Sequence, residues 1–326
     1  MKAITLTDFG GSEMMQFTEV EMPSPGDNQI LIQVKATSVN RPDVIQRQGN
    51  YPAPPGDSEI LGLEVAGIVE SVGKDVSRYK PGDRVFALVG GGGYAEYTLA
   101  REDHSMPIPK SLSFEQAACI CETYITAYLN LFMLGELEGK QSVLIHGGGG
   151  GVATAAIQLC KTLTPTTEIF VTASPAKIER VKQQGADHVI DYKNEDFAAE
   201  IKRITEKRGV DVILDHIGAK YLESNLKSLA IGGRMVLIGV MGGIKAEINL
   251  AMMMVKRQRI IGSVLRSRPV AEKASIIKQF EQTVVPLFAS GTISPLIHTT
   301  FPLSKAAEAH ELMESGGHFG KIVLLP

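Results

Sequence analysis

A chain of 326 residues can bury two hydrophobic cores, and we expect it to form two domains. Charged residues make up 21% of the chain and the net charge is −3, so nothing predicts nucleic-acid binding. No apolar stretch reaches membrane-spanning length, and three cysteines (Cys119, Cys121 and Cys160) are too few for a disulfide framework, so we expect a cytoplasmic protein with no membrane association.

The first third of the chain is rich in short β segments. Met1 to Leu6 has the pattern of a first strand, and further strands are predicted at 29–36, 65–72 and 84–87. Proline and glycine clusters separate them, for example Pro81-Gly82-Asp83. This pattern predicts an irregular, mostly antiparallel β domain.

From about residue 114 the pattern changes to alternating strands and helices. Apolar strands that alternate with helices are typical of a parallel sheet covered on both faces, so we predict a doubly wound α/β domain. Strands are expected at 142–146, 168–173, 188–191, 210–215, 234–240 and 259–264, and helices at 123–133, 175–184, 195–207 and 221–229.

The last segment has a mixed character. We predict a helix at 273–289, a β-like stretch at 299–302, a helix near 305–315 and a strand at 320–324. This mixture suggests that the chain returns to its first domain. The predicted division is therefore 1–123 with 265–326 for the β domain, and 124–264 for the doubly wound domain.

Five consecutive glycines, 147 to 151, lie between a predicted strand and a predicted helix. Gly148, Gly150 and Ala153 match G-x-G-x-x-G/A, the turn that lets the backbone approach a dinucleotide's pyrophosphate. Exposed amide groups at the helix start, at Gly151 and Val152, favour a diphosphate electrostatically. A glycine-rich surface loop is the alternative interpretation.

The end of the second predicted strand indicates which nicotinamide cofactor is bound. An acidic residue there would hydrogen-bond the adenosine ribose and repel a 2′-phosphate, but the segment Val171 to Lys177 contains none. Ser174 and Lys177 offer a hydroxyl and a cation to a phosphate monoester. Ser174 before Pro175 is also a good helix cap, and Lys177 could be a solvated helix lysine. We predict NADPH.

Several sequence motifs are spread along nearly the whole chain: Ser38-Val39-Asn40-Arg41-Pro42-Asp43, Leu61-Gly62-Leu63-Glu64, Pro81-Gly82-Asp83-Arg84-Val85, Gly93-Tyr94-Ala95-Glu96-Tyr97, Leu265-Arg266-Ser267-Arg268 and Gly320-Lys321-Ile322-Val323. Together they resemble the motifs of the medium-chain dehydrogenases/reductases. The likeness is to their zinc-free quinone oxidoreductase branch, and within it to the group typified by the p53-inducible quinone reductase homologue. This resemblance implies a Rossmann domain and a GroES-like catalytic domain.

The same resemblance bears on metal binding. The zinc-containing relatives carry a cysteine where this chain has Asn40 and a histidine where it has Leu63, and their remaining ligand position falls near Glu122. Catalytic zinc needs three ligands from cysteine, histidine or acidic side chains. We therefore expect no metal.

Reduction without a Lewis acid favours a conjugated acceptor, such as a quinone or an activated enone. The resemblance implies that Asn40 and Tyr51 line the substrate site, where each side chain can donate a hydrogen bond to a carbonyl oxygen that gains charge. A turn-forming or capping role for Asn40 and a loop-anchoring role for Tyr51 are the structural alternatives.

The resemblance also implies contacts to the cofactor. Thr126, Leu265, Ser267 and Lys321 would lie near the nicotinamide half, and Tyr192 near the adenosine 2′-phosphate. A homodimer formed through edge strands of the nucleotide domain is expected as well. The remaining predicted contacts follow the fifth strand, where ligands bind at the carboxyl ends of strands: Gly239, Met241 and Gly242.

Three functions remain open at this point. The first is NADPH-dependent reduction of quinones by hydride transfer. The second is reduction of enoyl thioesters, alkenals or enones with the same cofactor and a similar metal-free site. The third is a structural or sensor protein that binds NADPH and turns over little.

Overall fold

The computed structural model describes all 326 residues, Met1 to Pro326. The chain forms two compact units. The first, which we call the discontinuous unit, consists of Met1–Ile125 and Arg266–Pro326; the second, the contiguous unit, is Thr126–Leu265. The sequence predicts divisions at 123/124 and 264/265.

Fifteen strands and eleven α-helices follow one another along the chain, and none of the helices has the length and apolar character needed to span a bilayer. The strands are β1 (Lys2–Leu6), β2 (Met15–Glu19), β3 (Gln29–Val39), β4 (Glu64–Val72), β5 (Arg84–Leu88), β6 (Tyr97–Arg101), β7 (Ser105–Pro107), β8 (Ser142–Ile145), β9 (Glu168–Ala173), β10 (His188–Asp191), β11 (Val210–Asp215), β12 (Leu229–Leu237), β13 (Arg259–Gly262), β14 (Ile297–Pro302) and β15 (Lys321–Leu325). The helices are α1 (Arg41–Arg47), α2 (Phe114–Ala117), α3 (Cys121–Tyr128), α4 (Gly151–Leu163), α5 (Ile178–Gln183), α6 (Phe197–Ile204), α7 (Ala219–Ser228), α8 (Leu250–Lys256), α9 (Val270–Thr283), α10 (Val285–Ala289) and α11 (Ala306–Ser315).

The discontinuous unit is built on a seven-stranded sheet in the order β14-β15-β3-β4-β5-β7, with β6 paired to β3. Every pairing in it is antiparallel except that of β14 with β15, which confirms the predicted β domain. Strand β15 lies beside β3, with Ile322 opposite Val39. Residues near both ends of the chain therefore meet where β3 leads into α1.

Two apolar clusters hold this unit together. Alternate residues of β3, including Ile30 and Ile32, pack with residues of β4 and β5 such as Val65 and Val85, all of them fully buried. The second cluster places α11 against β3 and β15. Burial of one such aliphatic side chain contributes about 1.5–3 kcal/mol. The strands that carry the candidate site are thus fixed on both faces of the sheet.

The contiguous unit contains a six-stranded sheet in the order β10-β9-β8-β11-β12-β13. All its pairings are parallel, as predicted. The chain leaves β8 toward β9 on one side and later returns to β11 on the other. The order of strands therefore reverses between β8 and β11, and in such sheets ligands bind outside the carboxyl ends of the strands at this point.

Some predicted boundaries are wrong for identifiable reasons. Strand β12 begins at Leu229 rather than Arg234, and Gly232, with φ of +76°, lies within its irregular pairing instead of before it. The helix predicted over 273–289 is two helices, because Pro286 has no amide hydrogen with which to continue α9. Helix α1 was not predicted.

Candidate active site

The glycine run forms a tight turn between β8 and α4. Gly147 has a positive φ of +68°, which favours glycine. Gly148 donates its amide hydrogen to Thr172 O at 2.9 Å, and Gly150 donates to Gly147 O at the same distance. The turn is thereby tied to the neighbouring strand β9, and Gly150 becomes the N-cap of α4.

Side chains of β9 and α5 press against this turn. A Cβ atom placed on Gly148 would lie 2.5 Å from Val171 Cγ1 and 2.9 Å from Val181 Cγ2. A Cβ atom on Gly149 would lie 2.4 Å from Lys177 Cδ and 3.0 Å from its Nζ. Glycine at 148 thus permits close packing of the turn on the sheet, and glycine at 149 lets Lys177 lie over the turn.

The start of α4 has the donor set that a diphosphate requires. The amide groups of Gly151, Val152 and Ala153 have no acceptor within the helix, since the first turn of any helix leaves them free. No side chain caps the helix and its first turn contains no acidic residue. The helix start is therefore electropositive, and the residues present fit the phosphates of a dinucleotide.

His146, the residue before the glycines, is a fully satisfied buried group. Its Nδ1 lies 2.9 Å from Thr172 Oγ1 and its Nε2 lies 2.8 Å from Asn225 Oδ1. Burial lowers the pKa of His146 to about 3, so the ring is neutral. It braces the end of β8 and offers no free nitrogen for chemistry.

The residues predicted to contact a 2′-phosphate follow β9 and β10. Ser174 makes no capping hydrogen bond to the short turn Pro175–Lys177, so the capping alternative for its hydroxyl does not hold. Burial lowers the pKa of Lys177. Tyr192 donates its amide hydrogen to Ala173 O at 3.4 Å, and 41% of the residue is exposed. The backbone thus places Tyr192 next to the end of β9.

The loop after β12 carries the other predicted contacts of this unit. Met241 and Gly242 donate amide hydrogens to His216 O at 3.1 Å and Ile217 O at 2.6 Å. A Cβ atom on Gly239 would approach His216 O to 3.1 Å. These bonds hold the loop against the residues that follow β11. Two further predicted residues lie at the limits of the unit: Thr126 in α3 and Leu265, which is buried.

In the discontinuous unit, Asn40 belongs to a buried ionic network. Lys321, at the start of β15, donates from Nζ to Glu64 Oε1 at 3.0 Å, to Val39 O at 3.2 Å and to Asn40 Oδ1. Asn40 Nδ2 donates to Glu64 Oε1 at 2.9 Å, and Ser38 Oγ donates to the same oxygen at 2.6 Å. None of these side chains is more than 5% exposed.

This network fixes the orientation of the Asn40 amide. A lysine ammonium only donates, so the atom facing Lys321 must be the amide oxygen, and Nδ2 must face Glu64. One Nδ2 hydrogen is used by Glu64, while the other is left with the long contact to Ser38 O at 3.4 Å. That second hydrogen is the one available to a ligand.

Glu122 lies at the start of α3, next to the Glu64 carboxylate oxygen that does not contact Asn40 and Lys321. Its backbone amide donates to Glu64 Oε2 at 2.9 Å. Burial, followed by the negative charges of Glu64 and Asp43, raises the pKa of the Glu122 carboxyl to about 8. Glu122 is therefore largely protonated at neutral pH, and the buried cluster avoids an additional negative charge.

A chain of hydrogen bonds of fixed polarity reaches the backbone of Asn40. Arg47 Nη1 lies 3.3 Å from His310 Nδ1, His310 Nε2 lies 3.0 Å from Tyr94 Oη, and Tyr94 Oη lies 3.1 Å from Asp43 Oδ2. Asp43 Oδ2 also accepts the Asn40 amide hydrogen at 2.8 Å. Asp43 thus fixes the turn that carries Asn40 into α1.

The direction of each bond in this chain follows from Arg47. Its guanidinium can only donate, and burial lowers the pKa of His310 to about 3, so the imidazole is neutral and accepts at Nδ1. Nε2 then carries the hydrogen and donates to Tyr94, whose hydroxyl donates to Asp43. Burial raises the pKa of Asp43 to about 6, while the bonds from Asn40 and Tyr94 lower it.

Tyr51 lies in the loop between α1 and β4 and is half-buried. Burial, together with the negative charge of Glu122, raises its pKa to about 12, so the phenol keeps its proton at neutral pH. It can therefore act as a hydrogen-bond donor. Ser267, predicted to lie near the nicotinamide, is exposed just after the division between the units.

Comparison with known proteins identifies the family. The sequence matches the alcohol dehydrogenase GroES-like domain over residues 26–110 and the zinc-binding dehydrogenase family over residues 184–324. It is 37% identical to the quinone oxidoreductase of Rattus norvegicus over 329 residues, which cover 100% of this chain and 98% of the relative. This chain belongs to the quinone oxidoreductase family.

Solved structures agree with that assignment. The Escherichia coli quinone oxidoreductase complexed with NADPH has a TM-score of 0.91 to this chain at 30% identity, and the match covers 100% of both chains. The JamJ enoyl reductase has a TM-score of 0.89 at 25% identity, covering 99% of this chain and 98% of the other. The protein is an oxidoreductase of the medium-chain dehydrogenase/reductase class that uses a nicotinamide cofactor.

The zinc that one of these families is named for does not fit this chain. Asn40 and Leu63 are not zinc ligands, and the Asn40 amide oxygen already accepts from Lys321. No group of three or more histidine, cysteine, aspartate or glutamate side chains is arranged to hold a metal ion. The three cysteines are buried, and burial raises the pKa of each thiol.

Several residues of this site were missed by sequence reasoning. The sequence motifs contain Glu64 and Asp43 but indicate no role for them, and no pattern indicates a role for Tyr94 or His310. One signal was available: an acidic residue three positions after Asn40 is the spacing of a capping box, which predicts a helix start there. The ionic partner of Glu64 lies 257 residues away in sequence, and no local pattern links the two.

We predict that Glu122→Gln changes the pH dependence of stability. A carboxyl whose folded-state pKa is raised stabilises the fold fully below its ordinary pKa, and this contribution is lost as pH rises through the raised value. The wild type should therefore lose unfolding free energy relative to the variant between about pH 5 and pH 8. One pKa unit corresponds to about 1.4 kcal/mol, and partial exposure reduces this, so we expect a relative change on the order of 2 kcal/mol.

Denaturant unfolding at pH 5, 6.5 and 8 measures this change. Glu308→Gln, which removes an exposed carboxylate paired with Lys305, is the control and should leave the pH profile of the wild type unaltered. Parallel pH profiles for the wild type and Glu122→Gln would contradict the prediction.

Proposed function

We propose that this enzyme reduces quinones with NADPH by hydride transfer, without a metal. The observation that carries the proposal is that Asn40 and Leu63 occupy two positions that are metal ligands in the zinc-containing relatives, so that Glu122 alone cannot hold a metal in this chain of the quinone oxidoreductase family. An acceptor reduced there must take up hydride without a Lewis acid. Quinones satisfy this condition because conjugation spreads the negative charge that develops.

The residues of the contiguous unit would hold the cofactor. Gly148 and Gly150 let the backbone approach the diphosphate, and the amides of Gly151 and Val152 would donate to it. When bound, the reduced nicotinamide supplies the hydride. The other residues that we assign to cofactor contacts are Thr126, Gly239, Met241, Gly242, Leu265 and Ser267.

We assign cofactor selectivity to the end of β9. Ser174 and Lys177 provide a hydroxyl and a cation, and the segment from Val171 to Lys177 contains no acidic residue. Tyr192 lies next to the same strand end. These features favour a 2′-phosphate, and therefore NADPH over NADH. The cytoplasmic location that we propose agrees with three free cysteines.

In the discontinuous unit, we assign hydrogen bonding to the substrate to Asn40 and Tyr51. The second hydrogen of Asn40 Nδ2, which makes only the long contact to Ser38 O, and the phenol hydroxyl of Tyr51 can each donate to an oxygen that gains charge during hydride transfer. The Lys321 ammonium makes three hydrogen bonds within its own unit, so we propose that it orients Asn40 in place of the predicted cofactor contact.

Reduction of enoyl thioesters or enones is the second candidate function. It is favoured by the likeness to the JamJ enoyl reductase, and the same protonated phenol at Tyr51 would serve an enolate oxygen. A protein that binds NADPH with little turnover is the third, and the glycine turn alone would suffice for it.

A steady-state acceptor panel with NADPH and NADH distinguishes the three. We expect 1,4-benzoquinone and 1,4-naphthoquinone to be reduced with NADPH, with activity unchanged by a chelator. A kcat/KM about a hundredfold higher for crotonyl-CoA or an alkenal would replace the quinone assignment by the enone one. Tight NADPH binding by fluorescence with negligible turnover on every acceptor would favour the sensor role.

We predict that Lys177→Met lowers NADPH affinity about 10- to 100-fold, because a hydrogen bond to a charged phosphate contributes about 1.5–3 kcal/mol. NADH affinity should change less than about threefold, since NADH lacks the 2′-phosphate that Lys177 would contact. Quenching or transfer fluorescence of the reduced nicotinamide gives both dissociation constants. Lys202→Met, at an exposed lysine on α6, is the control. Equal losses for both cofactors would place Lys177 on the diphosphate alone.

We also propose a homodimer formed through the edge of the parallel sheet. Strand β13 lies at one end of that sheet, and exposed apolar side chains accompany it, including Val264, Leu250, Met254 and Val255. An uncovered edge strand with apolar neighbours is prone to pairing. Light scattering coupled to gel filtration should give twice the mass of the chain, and the mass of a single chain would contradict the proposal.

A further inference from the structure

The discontinuous unit contains a buried guanidinium with no carboxylate partner. Arg266 is 5% exposed. Its Nε and Nη2 donate to Gly90 O, the former at 2.8 Å, and its Nη1 donates to Tyr51 O at 3.2 Å. All its hydrogen-bond partners are backbone carbonyl groups, and no carboxylate oxygen lies within ion-pair distance of it.

The same guanidinium lies over the ring of Tyr51. The distance from Arg266 Cζ to the ring centroid is 5.2 Å, within the range of a cation–π contact. Arg266 therefore makes two contacts with Tyr51, a hydrogen bond to the carbonyl oxygen of Tyr51 and a cation–π contact with the ring of Tyr51. The loop that carries Tyr51 has no regular secondary structure, so these contacts decide where the phenol lies.

A second buried cation, Lys273, contacts the backbone of Arg266. Lys273 Nζ, in α9, donates to the Arg266 carbonyl oxygen at 3.1 Å, and Lys273 is 8% exposed. This bond fixes the Arg266 backbone. The guanidinium cannot turn outward to solvent without breaking the contacts to Gly90 and Tyr51.

The hydrogen bonds of Arg266 join the loop that carries Gly90 to the loop that carries Tyr51. Joining these loops does not by itself require a charged side chain. A neutral amide side chain could donate to two carbonyl groups without the desolvation cost of a buried cation that no ion pair compensates. Burial is accordingly the largest influence on the pKa of Arg266 and lowers it, while Tyr51 and the more distant carboxyl groups of Asp43, Glu122 and Asp57 raise it. A charge kept at this cost indicates an electrostatic role.

We propose that Arg266 is a positioning residue for the reduction, which fixes the Tyr51 phenol and strengthens its hydroxyl as a donor toward a substrate oxygen that gains negative charge. A positive charge over the ring draws electron density from the hydroxyl and favours the state in which the acceptor oxygen is anionic. This inference rests on the proposed function, since it concerns the oxygen of a conjugated acceptor.

The test is a double-mutant cycle between Arg266 and Tyr51, read as kcat and KM for 1,4-benzoquinone with saturating NADPH. We expect Arg266→Met to lower kcat by about 30-fold with KM nearly unchanged, because the field acts on the charged transition state. Arg266→Lys keeps the charge but loses the planar stack, so we expect a loss of about fivefold. In a Tyr51→Phe background the further loss from Arg266→Met should fall below about twofold.

Arg84→Met is the matched control. Arg84 also lies over an aromatic ring, that of Phe114 at 4.6 Å, and its Nη2 donates to a backbone carbonyl, Leu112 O at 3.1 Å, in the same unit. We expect no change in kcat from it. Circular dichroism and the NADPH dissociation constant establish that each variant is folded, and Arg266→Lys keeps the test decisive if the methionine variant does not fold.

The outcomes separate this inference from the proposed function. If the wild type reduces none of the quinones or enones, the proposed function fails before any variant is compared. If the wild type is active and Arg266→Met costs as much with phenylalanine at 51 as with tyrosine, or Arg266→Lys is as impaired as Arg266→Met, then Arg266 does not act through Tyr51 by its charge.

Discussion

The buried ion pair between Glu64 and Lys321 is the interaction on which the candidate site depends. It joins β4 to β15, orients the Asn40 amide and, through the second oxygen of Glu64, holds the start of α3. Isolated buried ion pairs seldom stabilise a fold, because removing two charges from water offsets their attraction. The two side chains make five further hydrogen bonds, and the clearest effect of the pair is to allow one arrangement of Asn40.

In the discontinuous unit, most of the buried ionisable side chains around Asn40 keep one protonation state at neutral pH. His310 is neutral, Glu122 is largely protonated and Tyr51 keeps its proton at neutral pH, because burial is the largest influence on each pKa and the strongest nearby charge acts in the same direction. Asp43 is the exception, with a pKa of about 6 that lies close to physiological pH. The polarity that Arg47 imposes through His310 and Tyr94 gives Asp43 a donor, which favours its ionised form.

The sequence predicts the parts of this protein that local patterns determine. The glycine turn after β8, the alternation of strands and helices, and the parallel sheet follow from spacing and hydrophobicity, and the structure confirms them. Boundaries were less predictable where one residue overrides a pattern, as Pro286 does in the helix predicted over 273–289. The network around Asn40 could not be predicted, because Lys321 and Glu64 meet only through the pairing of β15 with β3 and of β3 with β4. Arg266, likewise, lies in a sequence motif that indicates neither its burial nor its contacts with Tyr51.

The interrupted course of the discontinuous unit has a consequence for biosynthesis. All strands of the parallel sheet belong to one contiguous stretch, so that sheet can form while the chain is still on the ribosome. The segment carrying Lys321 is translated only later, and until it emerges Glu64 is a carboxylate without its cation. The parallel sheet can therefore be complete before the buried network around Asn40 is able to assemble.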